Sequence, residues 1–430
     1  MLRRSFSALL AAALCTAACD APVRPDLAAA SVTSASAASA VKDSDGVDAG
    51  EGAWSTAASA DALTAVLGRG ARHELASAAM DAAGMVHAVF ALDGDGDGHP
   101  DALVYAALRD GRWSAPRPVV ASMSLAEAAR VAVDGDGAVH VLWYGHSGAT
   151  STRDVPTELV ERTLAGGRWR APRVLYREAS RAGMNVRWLA AAADSGGDVQ
   201  VLFAPQGRGF GHLSLRGAAV RPARYLDHDG NMMTFSVPAA GKPLEMAYIG
   251  EAVSARRRTA VNDVFVRSLR AGGWSRRTEA YYGPKRYSHY PQLVVDGRGV
   301  RHLFWLEDTD GSVPPEALYH ATSPDGLAWS PARDLTPPAL RGGVLFRVAA
   351  APGAGGRIHL LLRRTEADGN RPGLYWLELR DGVPGPARPL APPGDLGQGE
   401  AQLLRDPLRH RMVALWRGGD GVYRWATRPE

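Results

Sequence analysis

Cysteine is almost absent from this 430-residue chain. The only two, Cys15 and Cys19, lie at its start, so the remainder has no disulfide and no thiol chemistry. Lysine occurs only at positions 42, 242 and 285, and arginine carries nearly all the positive charge. This reads as composition bias, although arginine also suits planar carboxylate recognition. The formal charge is only +4, and no basic helix or zinc-finger spacing appears, which argues against general nucleic-acid binding. Nucleophile elbow, phosphate loop, dinucleotide fingerprint and metalloprotease helix are all missing. The chain is rich in glycine (48) and proline (28), with a hydrophobic content of 46%. That balance fits an all-β chain with many turns and a packed core.

A short strand phrase recurs about every 54 residues. It is a turn followed by an apolar run that starts at His or its equivalent. The copies begin at His87, His140, Gln200, Glu245, His302, His359 and Met412. Between them runs a second phrase, a turn and then Trp, often with Pro: Trp113, Trp169, Trp274 and Trp329, with weaker copies at Val220-Arg221-Pro222 and Val383-Pro384. A seventh copy, Ala53-Trp54-Ser55, precedes the first His phrase, and none follows the last. A fixed period of short strands predicts an all-β, seven-bladed β-propeller, one blade per period. Six or eight blades are the alternatives, because the third and seventh units are degenerate. The counts balance only if the chain closes N-to-C, with the strand at Trp54 completing the blade begun near Leu403. Such closure removes open sheet edges.

Three regions follow: residues 1–19, 20–50 and 51–430. Arg3 and Arg4, then the apolar stretch Phe6 to Leu14, then Thr16-Ala17-Ala18 read as a secretory signal peptide. The apolar stretch is too short for a lasting membrane span. Thr16-Ala17-Ala18-Cys19 resembles a bacterial lipobox, although Thr16 stands where Leu is usual. The resemblance implies lipidation at Cys19, export from the bacterial cytoplasm and a membrane-anchored lipoprotein, periplasmic or at the cell surface. A soluble export leader is the alternative. Residues 20–50, rich in Ala and Ser, read as a disordered tether. The propeller is 51–430.

Each blade should hold four antiparallel strands, A to D, with the His phrase on B and the Trp phrase on D. The turns before B (Asp81 to Gly84, Asp134 to Gly137, Asp296 to Gly299) and before D are short and alike, as tight Asp-Gly turns require. They belong to one face. The B–C and D–A connections are long and differ between blades, so a ligand site is expected on theirs. One histidine per blade does not make one site, so His87, His140, His302 and His359 are assigned a structural role.

The sharpest local motif is Asp93-Gly94-Asp95-Gly96-Asp97-Gly98-His99-Pro100-Asp101. Asp93, Asp95, Asp97 and Asp101, with the His99 carbonyl, can converge on one Ca²⁺ around a glycine turn. The run resembles the calcium hairpins of FG-GAP-type propeller repeats, which implies a structural ion; a solvated acidic turn is the other reading. Val104 stands where an EF-hand carries its bidentate Glu, which excludes that module. Ser323-Pro324-Asp325-Gly326-Leu327-Ala328-Trp329 resembles the Asp box of BNR repeats, with Gly one place early and Thr absent. It implies the sialidase-like propeller superfamily, whose members often act on or bind glycans. That family clamps a carboxylate with three arginines, beside an Asp acid and a Tyr–Glu pair. The nearest phrase to its first arginine is Phe346-Arg347-Val348-Ala349, late in the chain and without the following Pro, and the other members of the set have no evident counterpart.

Between the fourth and fifth units, Tyr281, Tyr282, Lys285, Arg286, Tyr287, His289 and Tyr290 crowd into one short segment. Aromatic faces stack on sugar rings and cations pair with uronate or sialate carboxylates, so these are the candidate ligand-binding residues. Packing along a strand is the other reading. Arg256-Arg257-Arg258 reads as a solvated tip, while His146, His212 and His228 are further candidates for the funnel. The expected function is binding of a glycan or envelope protein on the variable face, with the membrane engaged only through an N-terminal lipid and no nucleic acid as partner. The alternatives are an exo-glycosidase or polysaccharide lyase acting on an acidic glycan, and an envelope scaffold. The catalytic residues stay open.

Overall fold

The computed structural model describes residues 53–67, 72–94, 100–120, 126–145, 158–177, 188–204, 209–217, 219–227, 230–236, 243–251, 262–271, 273–283, 287–308, 315–366, 370–397 and 399–430. All belong to the compact unit Ala49–Glu430. The leader, Cys19 and the tether lie outside the described residues.

The described chain forms seven antiparallel sheets in a ring, a seven-bladed β-propeller. The A strands, one per blade, are Arg72–Met80, Ala126–Val133, Trp188–Ala193, Gly230–Phe235, Tyr287–Val295, Val344–Pro352 and Gln402–Asp406. The last blade continues through Arg411–Arg417 and Tyr423–Pro429, and its outer strand is Ala58–Ser59. Ala58 and Ser59 pair with Trp425 and Arg424. The Ser55 amide donates to the Thr427 carbonyl at 2.7 Å, and the Thr427 amide to Ser55 Oγ at 3.0 Å. The expected N-to-C closure is therefore present, with Trp54 standing edge-on to Trp376. A short helix, Asp61–Leu67, follows and buries Leu63 and Leu67.

Both faces of each sheet meet a neighbour, which explains the sequence of the B strands. Val139–Gly145 is buried throughout. Val141 and Trp143 enter the cluster shared with blade 1, while Leu142 and Tyr144 enter the one shared with blade 3. A strand buried on both sides reads as a continuous apolar run rather than an alternation. Seven such clusters fill the seven blade interfaces. Each buried Leu, Val or Phe contributes roughly 1.5–3 kcal/mol.

The A–B turns share one device. Asp134 Oδ1 accepts the amides of Asp136 (3.0 Å) and Ala138 (2.7 Å), Gly137 takes a φ of 78° open to glycine, and Asp134 Oδ2 meets His140 Nε2 at 3.1 Å. Asp81 with His87, Asp194 with Gln200 and Asp296 with His302 repeat it. The B-strand histidines thus staple their own blades: His87 also meets Tyr105 (2.7 Å), His140 meets Glu161 (2.8 Å) and His302 meets His320 (3.1 Å). In blade 6, Gly353 replaces the Asp, and His359 accepts from Trp376 instead. Asp325 also caps its own turn, accepting the Leu327 and Ala328 amides at 2.8 and 3.0 Å, while Trp329 packs against the cluster between blades 4 and 5. Neighbouring turns on this face are tied together: Arg409 donates to the Ala83 carbonyl and pairs with Asp110, and Arg298 pairs with Asp381.

Burial holds most of these imidazoles neutral. It lowers His212 and His359 to about 4, and, with His302 and Arg333 adding repulsion, His320 to about 3. Their contribution is complete above the ordinary histidine value and is lost as pH falls through those lowered values. His140 opposes them. Burial works against its charge, but Glu161 and Asp134 outweigh it and raise the group, so its contribution is present at low pH and lost as pH rises through the raised value. The lowered groups outnumber it, so denaturant midpoints should fall between neutral pH and about pH 4. Replacing His359 with Asn should shrink that difference; an unchanged pH dependence would contradict the assignment.

Candidate functional site

The A strands surround a central cavity of about 440 Å³. One end, beside the A–B turns, is lined mainly by small or apolar residues such as Met80, Val133, Ala193 and Pro352. The other end faces the variable connections and is different in kind: there Arg130, Trp188, Met232, Tyr290, Arg347 and Glu400 line the wall.

The backbone explains how they get there. Five A strands break register near their starts, at Leu75/Ser77, Glu127/Arg130, Asn231/Thr234, His289/Gln292 and Leu345/Arg347. Bulges bend a strand and re-aim its side chains. At three of them a non-glycine residue adopts positive φ: Ala128 (49°), Met232 (49°) and Tyr290 (50°). Such strain persists only where the surroundings over-determine it, and it clusters at functional sites. The Tyr290 amide donates to Met232 Sδ at 3.4 Å across the blade boundary.

The result is a cluster of opposite charges beside aromatic rings. The Arg347 guanidinium lies 4.3 Å from the Tyr290 ring centroid and 5.8 Å from that of Trp188, a cation–π arrangement. Its Nη2 is 3.3 Å from Glu400 Oε1, and Arg130 Nη2 is 3.8 Å from the same oxygen. Arg130 also donates to the carbonyls of Ala76 and Ala129 at 3.2 and 2.9 Å. Arg363, on strand B of blade 6 (Arg357–Thr365), donates through Nη1 to the Gly399 carbonyl at 2.8 Å. Its buried Nε has no acceptor among the described residues. Glu74, from blade 1, packs against the Gly399 backbone, where an added Cβ would stand 3.2 Å from the Glu74 Cβ.

The two carboxyls behave differently. Removal from water pushes Glu400 up, but Arg130 and Arg347, helped by Gln402, prevail and hold it below the ordinary value. Glu74 is raised, first by removal from bulk water and next by Glu400, against the pull of Arg347, Arg130 and Arg363. The Glu400 side chain keeps 29% of its surface open to the water of a concave mouth, which stabilises charge less than open solvent does. Glu74 is exposed and lies outside the cavity lining, so solvent screens its charge.

The tyrosine segment does not stay together. Tyr290 joins the mouth. Tyr281 is taken up in blade packing, 4.6 Å from the Trp305 ring, and donates to Glu307 at 3.2 Å. Tyr282 and Tyr287 are exposed. His289 is half-buried, with Nε2 lacking a partner among the described residues, and burial lowers it. Lys285 and Arg286 lie outside the described residues, as do His146, His228 and Arg256-Arg257-Arg258. His212 does not reach the funnel, since it bonds Gln200 at 2.7 Å and stands edge-on to Trp274 between blades. Arg347, noted above for its phrase, does reach the mouth. Glu74, Arg130, Trp188, Arg363 and Glu400 were not singled out from sequence. A column was nonetheless present: Trp188, Tyr290, Arg347 and Glu400 each stand twelve residues before the His-equivalent position of their blade.

In the Asp93–Asp101 loop, Asp95, Asp97 and His99 lie outside the described residues. Its two ends are drawn together: the Asp101 amide donates to the Leu92 carbonyl at 2.8 Å, and the Gly94 amide meets Asp101 Oδ1 at 3.4 Å. No group of three metal-ligating side chains occurs among the described residues.

No protein-family model matches the chain, and no curated protein matches it by sequence. Solved structures do match in fold. An ulvan lyase, a polysaccharide lyase solved bound to -[GlcA(1-4)Rha3S]-, aligns at 12% identity and TM-score 0.55, over 84% of this chain and 95% of its own. A protein of unknown function from Dyadobacter fermentans DSM 18053 aligns at 12% identity and TM-score 0.50, over 71% of this chain and 95% of its own. The Hadza microbial sialidase Hz136 aligns at 12% identity and TM-score 0.44, over 79% and 75%, a likeness too loose to bear on the site. At these identities the shared property is the fold.

Gly399 tests how tightly the mouth is built. It holds φ at 102° and abuts Glu74, so Gly399→Ala is both strained and crowded. A loss of about 1–3 kcal/mol is expected in denaturant unfolding, and a neutral substitution would show that the segment yields freely.

Proposed function

We propose that the channel mouth binds the acidic residue of a glycan, as an exported β-propeller with its ligand on the variable-loop face. The carrying observation is the convergence of Arg130 and Arg347 on Glu400 beside Trp188 and Tyr290, with Arg363 held on the adjoining Gly399 carbonyl. Arg130 and Arg347 against the one carboxylate Glu400 leave a surplus of positive charge at this end of the concave site. The aromatic faces supply a platform for a sugar ring, and guanidinium groups pair with carboxylate or sulfate through directed hydrogen bonds. The like-folded lyase holding a uronate-containing sugar supports the reading.

A second reading has one observation in its favour. Two carboxyl groups whose surroundings push them in opposite directions, Glu74 up and Glu400 down, form a pattern suited to acid–base work. The mouth would then cleave the acidic glycan, as a glycosidase or a lyase, with Glu74 giving or holding a proton and Glu400 staying ionised.

An array of uronate-bearing and sulfated oligosaccharides tests both. The wild-type chain should bind acidic members only. Arg347→Ala and Arg130→Ala should each weaken binding tenfold or more, since a charge-assisted hydrogen bond contributes about 1.5–3 kcal/mol. Equal binding by all three proteins would exclude the site. New chain ends formed by wild type but not by Glu74→Gln or Glu400→Gln would establish cleavage.

The acidic loop completes the proposal. Its oxygen-only donor set of Asp93, Asp95, Asp97, Asp101 and the His99 carbonyl suits a hard cation, and the closed neck suits a structural Ca²⁺ that stiffens the hairpin. EGTA should lower the melting temperature of wild type and leave Asp93→Ala unmoved; no EGTA effect on wild type would remove the ion. Lipidation at Cys19 would anchor the protein. No helix among the described residues is long and apolar enough to cross a membrane.

A further inference from the structure

We propose that the outer rim of blades 2 and 3 is a docking surface for an anionic lipid bilayer. It lies apart from the mouth and does not depend on the acidic-glycan reading. Its starting point is where blade 3 departs from the repeat. In blades 1, 2, 4 and 5 the outer segment carries a tryptophan, Trp113, Trp169, Trp274 or Trp329, that packs inward. Blade 3 has Val220-Arg221-Pro222 at that place. Without a ring to bury, its outer strand Ala219–Asp227 runs unbroken for 9 residues and is exposed from Ala219 to Tyr225.

The strand beside it is Arg173–Arg177 of blade 2. Two contacts hold the pair side by side. Arg173 donates to the Gly217 carbonyl at 3.4 Å near one end, and the Tyr176 and Tyr225 hydroxyls share a hydrogen bond of 2.6 Å near the other. Leu175 and Tyr176 pack against the cluster between the blades. Val174, Val220 and Tyr225 stay open to solvent at 47%, 38% and 50%. Apolar side chains gathered on an open face mark an interaction surface.

Charge marks the same face. Residues 168–177 and 216–227 together hold seven arginines and one acidic residue, Asp227. The matching segments of blades 5 and 6, 323–334 and 380–391, hold three arginines and three aspartates. The formal charge of the whole chain is only +4, so the excess is local. Part of it is neutralised: Glu161 holds Arg173, Glu158 holds Arg177, and Asp198 meets Arg216 and Arg221 at 3.4 and 3.8 Å. Asp227 is committed to Arg267 and Arg277 of blade 4. Arg168, Arg170 and Arg224 are exposed and make no ion pair among the described residues.

Cations mixed with tyrosine and aliphatic side chains fit the boundary layer of a bilayer. Arginines meet anionic headgroups there, while tyrosine and valine reach the layer beneath. A soluble acidic polysaccharide would meet the same charges but gain nothing from open valines. The orientation follows from the fold. Outer strands face radially, so a ring resting on them has its axis parallel to the bilayer, and the mouth opens alongside the membrane.

The experiment is vesicle co-sedimentation of the full chain carrying Cys19→Ala, which removes any lipid attached there. The vesicles are phosphatidylcholine with and without phosphatidylglycerol. Binding should require phosphatidylglycerol and weaken as salt rises. Arg170→Ser and Arg224→Ser should each weaken it about fivefold, and Val220→Ser should weaken it as well. Arg388→Ser removes the same charge from the exposed rim of blade 6 and should leave binding unchanged, as should Arg347→Ala at the mouth. Equal losses in Arg388→Ser and Arg224→Ser would reduce the effect to overall charge and overturn the assignment. Binding that ignores phosphatidylglycerol, or is absent from both vesicles, overturns it too. Polygalacturonate binding lost in Arg170→Ser and Arg224→Ser, with vesicle binding unmoved, would make the rim a glycan surface instead. Each of these outcomes leaves the mouth untouched, since its reading stands or falls on the oligosaccharide array.

Discussion

Each sheet of this protein has two apolar faces and needs two neighbours. That requirement shapes everything else in the molecule. A row of seven sheets would leave an apolar face bare at either end, and only a ring covers all of them. The chain achieves this by placing Ala58 and Ser59 against the strand Tyr423–Pro429, so that the last blade is made from both ends of the propeller. Seven interface clusters, each drawn from two adjacent blades, are the energetic consequence. Non-covalent closure of this kind suits a chain whose propeller has no cysteine.

Closing the ring also creates the site. Seven inner strands must start around one axis, and their side chains compete for the same space. Five of the strands bulge there, with Ala128, Met232 and Tyr290 in a strained left-handed backbone. Charge then gathers in a concavity, where arginine and carboxylate interact more strongly than on an open surface. The opposite face is built for order, with capped turns and ion pairs between them. The division of labour between the two ends of the ring thus follows from connection length: short turns can be stapled, and long ones leave the mouth open.

Much of the scaffold was legible in the residues. The period, the turns, the B-strand histidines and the closing strand at Trp54 all repeat a residue type at a fixed place, and repetition survives in a one-dimensional reading. The mouth was legible only in fragments. Tyr290 stood out within an aromatic cluster whose other described members pack into blades or face solvent. Arg347 stood out through a phrase. The column twelve residues before each His position held Trp, Tyr, Arg and Glu in four blades, so it had a fixed place but no common chemistry and did not look like a repeat.

Sequence by itself determined the repeating blade unit, its strand order and the face that carries short turns, because these depend on local patterns of turn and apolar residues; the ring settled the count at seven. Only the tertiary structure decided that Arg130, Trp188, Tyr290, Arg347 and Glu400 share one mouth, with Glu74 and Arg363 set against the adjoining Gly399 backbone. Those residues come from six different blades, and no local preference of any of them favours the others' company. They meet because hydrophobic burial closes the ring, and ring closure brings distant strand starts to a common axis.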